Sequence, residues 1–186
     1  MNIAILGWGS LLWDKRRDFE EQHAEWEFDG PELKIEFSRI SSTRSGALTL
    51  VIDPASGSPC RVAHVRSKRT DPDDAVRDLR FREETTATNI GLFFADGTRL
   101  QSKDEESVNA VRTWASRKNV DVVVWTDLSS NFFQTLGQPF SIENALLHLQ
   151  ALDSSARSCA AAYVSRAPDF VVTRLRASLR SQPWFK

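Results

Sequence analysis

Cysteine is scarce: Cys60 and Cys159 are the two in 186 residues, far apart and outside any CxxC spacing. That excludes a dense disulfide framework, and reduced thiols in a cytoplasmic protein are expected. Histidine is scarce too, with His23, His64 and His148 scattered and in no zinc-ligand spacing, so neither a metal nor a cofactor is expected. There is no excess of either charge: 24 Lys+Arg against 25 Asp+Glu leave −1. A nucleic-acid partner held by general electrostatic attraction is therefore not expected. No run approaches the ~18 apolar residues of a membrane span. The start, Met1-Asn2-Ile3-Ala4, lacks the basic residues and cleavage site of a signal peptide. What is present, 41% hydrophobic and 26% charged residues, suits one globular domain over 1–186.

The first apolar run, Asn2 to Leu6, ends in Gly7 and Gly9, the pattern of a buried strand feeding a tight turn. A charged stretch from Asp14 to Glu27 predicts part of a helix. Leu33 to Ile40 alternates with period two, and Ala47 to Asp53 is rich in β-branched residues. The short link between them predicts an antiparallel pair, because parallel neighbours need a crossover of about a dozen residues or more. Arg61 to Arg66 reads as a third antiparallel strand. Asp71-Pro72-Asp73-Asp74 opens a helix to about Glu83: a cap, a proline at the first helical position, then acids in the first turn. Asn89 to Ala95 and the apolar Val120 to Trp125 predict further strands. Helices are expected from Ser102/Glu105 to about Lys118, after Ser141, and from Pro168. The pattern is α+β: a mostly antiparallel, mixed sheet of about six strands, curled into a barrel, with about four surrounding helices.

Two places carry chemistry. In Gly7-Trp8-Gly9-Ser10-Leu11 the glycines let the backbone turn sharply and expose successive N–H groups, a concavity suited to a carboxylate or phosphate. A dinucleotide fingerprint, with Glu36 as the ribose acid, lacks its third glycine and its βαβ context. A nucleophile elbow would need serine, not Gly9, at its centre. A plain glycine turn is the other reading. The second place is Arg82-Glu83-Glu84. The helix stripe steps from Val76 to Leu79 and on to Glu83, which predicts that Glu83 faces inward. A carboxylate there must be paired, neutralised or set against a cavity. An arginine partner and a functional acid are both open, and fraying at the helix end keeps Glu84 in consideration.

Gly7-Trp8-Gly9-Ser10-Leu11-Leu12-Trp13 resembles the Tyr-Gly-Ser-Leu-Ile-Trp loop that opens the γ-glutamylcyclotransferase superfamily, in particular its ChaC-like and AIG2-like branch. The Arg44-Ser45-Gly46 turn with the Leu48-to-Ile52 strand resembles the family's next segment, and Arg82-Glu83 its Arg-Glu pair. A weaker likeness runs through Tyr163-Val164, Arg166-Ala167-Pro168 and Thr173-Arg174-Leu175-Arg176. The likeness covers roughly half of the chain. It implies the γ-glutamylcyclotransferase-like fold and a lyase that cyclises the γ-glutamyl group of a small substrate to 5-oxoproline, releasing an amine. By position it gives Glu83 the acid/base role and the amides of Gly7, Trp8, Gly9, Ser10 and Leu11 the γ-glutamyl group. Trp8 stands where the family has tyrosine, and Glu84-Thr85-Thr86 where it has glycines and an aromatic residue.

Arg44, in a turn, is a candidate for binding a substrate carboxylate or an ordinary solvated arginine. Trp8, Trp13 and Trp125 are candidate pocket walls, with a core role also open for Trp125. Asp127, Ser130 and Asn131 follow a buried strand and could face a site or close a loop. Two other functions stay open: a non-catalytic domain that binds a small molecule or a partner, and a transferase or hydrolase of γ-glutamyl amides.

Overall fold

A computed structural model of the chain describes residues 1–185. Its strands are β1 (Ile3–Gly7), β2 (Glu32–Ile40), β3 (Leu48–Ile52), β4 (Ser58–Arg61), β5 (Ala63–Arg66), β6 (Ile90–Phe94), β7 (Leu100–Gln101) and β8 (Val122–Thr126). Its helices are α1 (Arg17–Glu20), α2 (Pro72–Arg82), α3 (Glu105–Lys118), α4 (Phe132–Leu136), α5 (Ile142–Ala151), α6 (Ser154–Arg166) and α7 (Arg174–Arg180). The fold is α+β. The chain divides into two compact units, each discontinuous in sequence: Met1–Leu33 with Arg61–Leu128, and Lys34–Cys60 with the chain from Ser129 onward. Among the described residues the strands form two open sheets, ordered β5-β1-β8-β6-β7 and β3-β2-β4, and no closed barrel is found.

In the first unit β1 pairs in parallel with β8 and antiparallel with β5, while β6 lies antiparallel to both β8 and β7. Alternation along the strands sends Ile3, Ile5, Val122, Val124, Ile90 and Leu92 to one face. There they pack with Phe19 of α1, Ala75 and Leu79 of α2, and Leu11 from the turn after β1. Burying a side chain of this size contributes roughly 1.5–3 kcal/mol, so this face holds α2 against the end of β1. On α3, Val108, Val111, Trp114 and Ala115 are buried, and Arg112 lies over the ring of Phe93. Phe93 neighbours Leu92 and Phe94 in the strand and so faces the other way. The uninterrupted run Val122 to Trp125 is buried throughout, as its composition predicts.

In the second unit β2 and β3 are antiparallel, as expected, with a register shift between Glu36 and Arg39. A short 3₁₀ turn, Ser42–Arg44, joins them, and the left-handed Ser45 and Gly46 reverse the chain.

Several boundaries differ from the expected ones. The stretch Arg61 to Arg66 is not one strand: Val62 interrupts it by accepting from the Gly30 N–H and donating to Pro31 O. The helix expected at Ser102 begins after Asp104, whose carboxylate accepts from the N–H groups of Glu106 and Ser107. The last helix starts at Arg174, capped by Thr173, not at Pro168. Residues 167–171 instead wrap the Arg176 guanidinium, which donates to the carbonyls of Ala167, Pro168 and Val171. Helix α6 had no sequence signal, because Ser and Ala dominate it and leave little apolar contrast between its faces.

Candidate functional site

The turn after β1 is built by Gly9. Trp8 is extended, Gly9 takes φ +72°, and Gly9–Leu12 form one 3₁₀ turn. That φ lies in the left-handed region, which glycine enters without a Cβ clash. In a 3₁₀ turn the first N–H groups have no partner inside it. No hydrogen bond among the described residues uses the Gly9 or Ser10 N–H. The carbonyl of Ser10 is heavily used: it accepts from Trp13 N at 3.2 Å, Asp14 N at 2.8 Å and Arg82 Nη2 at 3.1 Å.

Arg82 reaches the turn from the last position of α2. The buried residues of this helix are Pro72, Ala75, Leu79 and Arg82. The inward stripe therefore ends on Arg82, and Glu83 sits at its flank as the C-cap residue. This corrects the expected phase: counting from Leu79, a step of three was taken where a step of four was expected. Arg82 is 4% exposed, and its Nη2 also donates to Asp14 O at 2.6 Å. The Glu83 side chain is 20% exposed, with Oε1 3.7 Å from Arg82 Nη1. One guanidinium thus touches both the turn carbonyls and the Glu83 carboxylate. Ser10 of the turn and Glu83, distant along the chain, both contact it.

Glu84 points elsewhere. It is left-handed, with φ +49°, and its carboxylate pairs with Arg16 at 2.6 Å on the surface. Its N–H donates to Phe81 O and the Thr85 N–H to Arg80 O, the two bonds of a Schellman cap.

Trp8 is buried, and Trp125 is wholly buried in the core, its Nε1 without a hydrogen-bond partner. Arg44 belongs to the second unit, where its guanidinium lies 5.2 Å from the ring centre of Tyr163. Asp127 closes a loop by accepting from Lys103 N. Ser130 donates to Ser38 O, and Asn131 exchanges hydrogen bonds with both backbone groups of Ile40, so these two tie a loop to the end of β2. Glu36 is fully buried, and its oxygens accept from the N–H groups of Phe37 and Leu175, which leaves no ribose acid.

Sequence reasoning missed two neighbours of the turn. A Cβ on Gly7 would lie 2.6 Å from the Trp26 ring, so that glycine makes room for an indole. The Trp26 ring in turn meets that of His23 at a tilt, and His23 is 4% exposed with Nε2 3.6 Å from Glu20 Oε1. A glycine closing a strand was the available signal.

One potential ligand set is present among the described residues: Glu27, Asp29 and His64, with donor atoms within 4.8 Å of one another. His64 Nε2 is 2.8 Å from Asp29 Oδ1, and the Lys118 ammonium donates to the other Asp29 oxygen. The ammonium and the imidazole hold the Asp29 carboxyl below its usual range. That carboxylate already has a cation, and a metal there would repel it. No described helix is long and apolar enough to cross a membrane. The chain matches no family model, no curated protein and no solved structure.

Proposed function

We propose that this chain is a γ-glutamylcyclotransferase-like enzyme of that superfamily's fold, working in the cytoplasm on a small γ-glutamyl compound without metal or cofactor. The observation that supports it is the Arg82 guanidinium, which holds the turn carbonyls with one nitrogen and lies beside Glu83 with the other. The Glu83 carboxylate and the carbonyl of Ser10 in the turn thereby share one guanidinium.

The reaction needs little else. The substrate's α-amino nitrogen attacks its own γ-carbonyl, the new C–N bond closes the ring, and the old one breaks to release an amine. Holding the folded conformer removes most of the entropic barrier. Glu83 carries two protons in turn from the α-amino nitrogen to the departing nitrogen, so the lactam nitrogen keeps one hydrogen and the amine leaves as its ammonium. The Gly9 and Ser10 N–H groups donate to the substrate carboxylate or to the developing oxyanion.

The test offers glutathione, γ-glutamyl amino acids and γ-glutamylamines to the purified protein and measures 5-oxoproline. Release from at least one, lowered about 10²–10⁴-fold by Glu83→Gln with melting unchanged, is expected. No release from any of them by folded protein overturns the enzyme in favour of a binding domain. Glutamate in place of 5-oxoproline would indicate a hydrolase or transferase.

A further inference from the structure

The second unit contains a cavity of about 460 Å³ between α6 and α7. Its α6 wall is Ser158, Ala161, Ala162, Val164 and Ser165. Ser158, Ala161, Ala162 and Ser165 follow the i, i+3, i+4, i+7 spacing of one helix face, Val164 flanks them, and none of these side chains is long enough to fill the gap. The facing wall is Arg176, Leu179 and Arg180 of α7, with Phe185 beyond them.

The two arginines differ in what they can offer. Arg176 is 8% exposed and gives its donors to three backbone carbonyls. Arg180, one turn further on, is exposed, and no hydrogen bond or ion pair among the described residues uses it. Arg176 already feels the opposite charge of Asp169, so Arg180, one turn on at the edge of the apolar cleft, is the guanidinium left to meet an anion. Volumes of about 300–1,000 Å³ with apolar walls and a few polar groups are typical of small-ligand sites.

We propose that this cleft binds a small amphiphilic carboxylate, with its head on the Arg180 guanidinium and its alkyl tail between Ala161, Ala162, Leu179 and Phe185. A planar guanidinium matches a carboxylate through two parallel hydrogen bonds. The small residues of α6 leave the room that an unbranched chain fills.

Decanoate, decanol and acetate, titrated into the full chain by calorimetry, test it. Decanoate is expected to bind saturably at one site, roughly tenfold or more tighter than either control. Arg180→Gln should weaken decanoate by a similar factor and leave decanol unchanged. Ala162→Trp, an exposed position where added bulk is tolerated, should abolish binding with melting intact. Absence of saturable binding, equal affinity for decanol, or indifference to either substitution would each overturn the site.

Discussion

The Nη2 of Arg82 lies 3.1 Å from the carbonyl oxygen of Ser10, so the end of α2 is bonded to the turn that follows β1. The same nitrogen donates to Asp14 O, and the residue is almost wholly buried. Arg82→Met removes a charged donor from two carbonyls. It is expected to lower stability by about 1.5–3 kcal/mol, read as a shift in the denaturant midpoint. Faster amide exchange over 8–14 should accompany it. Arg82→Lys should recover part of the stability and little of the ordering, because one ammonium cannot hold both carbonyls and also stand beside Glu83 as the two guanidinium nitrogens do. Unchanged exchange in Arg82→Met would show that the turn holds itself.

Glu83 and Glu84 are adjacent, yet the helix end gives them opposite fates. Glu84 occupies the left-handed cap position where glycine is preferred, and its ion pair with Arg16 is exposed on both sides. Such a pair contributes ~0–1 kcal/mol, while the left-handed backbone costs a non-glycine residue roughly 1–2 kcal/mol. Glu84→Gly is therefore expected to leave stability unchanged or raise it by up to about 1 kcal/mol, and to leave 5-oxoproline release intact. Activity lost in Glu84→Gly and kept in Glu83→Gln would reverse the two assignments.

Legibility in the sequence followed contrast between neighbouring residues. The α2 cap, the antiparallel β2–β3 pair and the buried β8 were readable because Asp71-Pro72, the period-two alternation and the Val-rich run each leave a strong local pattern. Helix α6 was not, since its Ala and Ser residues look alike on every face. In the candidate site, Gly9, Glu83 and the neighbouring Arg82 stood out by type, with an arginine partner for the acid left open. The burial of Arg82 was not legible, since it depends on carbonyls 68 and 72 residues earlier that no local pattern announces. The break between β4 and β5 was equally hidden, because it falls at a single residue, Val62, bonded to Gly30 and Pro31.

Gly91 stands directly opposite Trp125 across β6 and β8. A Cβ added at Gly91 would lie 2.0 Å from Cε2 of that indole, in a core position where the ring is wholly buried. Gly91→Ala must displace the ring or part the strands. A loss of roughly 1–3 kcal/mol or more is expected, as for overpacked cores. Trp125→Phe on the Gly91→Ala background should recover part of it, since the smaller ring frees the space and removes an N–H without a partner. A double-mutant cycle in urea measures this coupling, and additive effects would place the clash elsewhere.

Glu36 is an acid inside the second unit. Burial raises its pKa above the ordinary 4.5, against the pull of hydrogen bonds from Thr173, Phe37 and Leu175 and the charge of Arg174. In the folded chain the proton is thus held more tightly than in the unfolded one, so falling pH favours the fold through this group. The gain begins as the pH drops through the raised folded value and is complete below about 4.5, the unfolded value. Asp29 has the opposite sign: its carboxyl is held low by Lys118 and His64, and its contribution is lost on acidification. Glu36→Gln cannot titrate. Whatever fixed cost its amide incurs beside two N–H donors, the stability of wild type relative to Glu36→Gln should increase as the pH is lowered from 7 towards 4.5. Chemical denaturation across that range measures the difference. A constant offset would mean that Glu36 keeps the same pKa in both states, and its hydrogen bonds would then balance its burial.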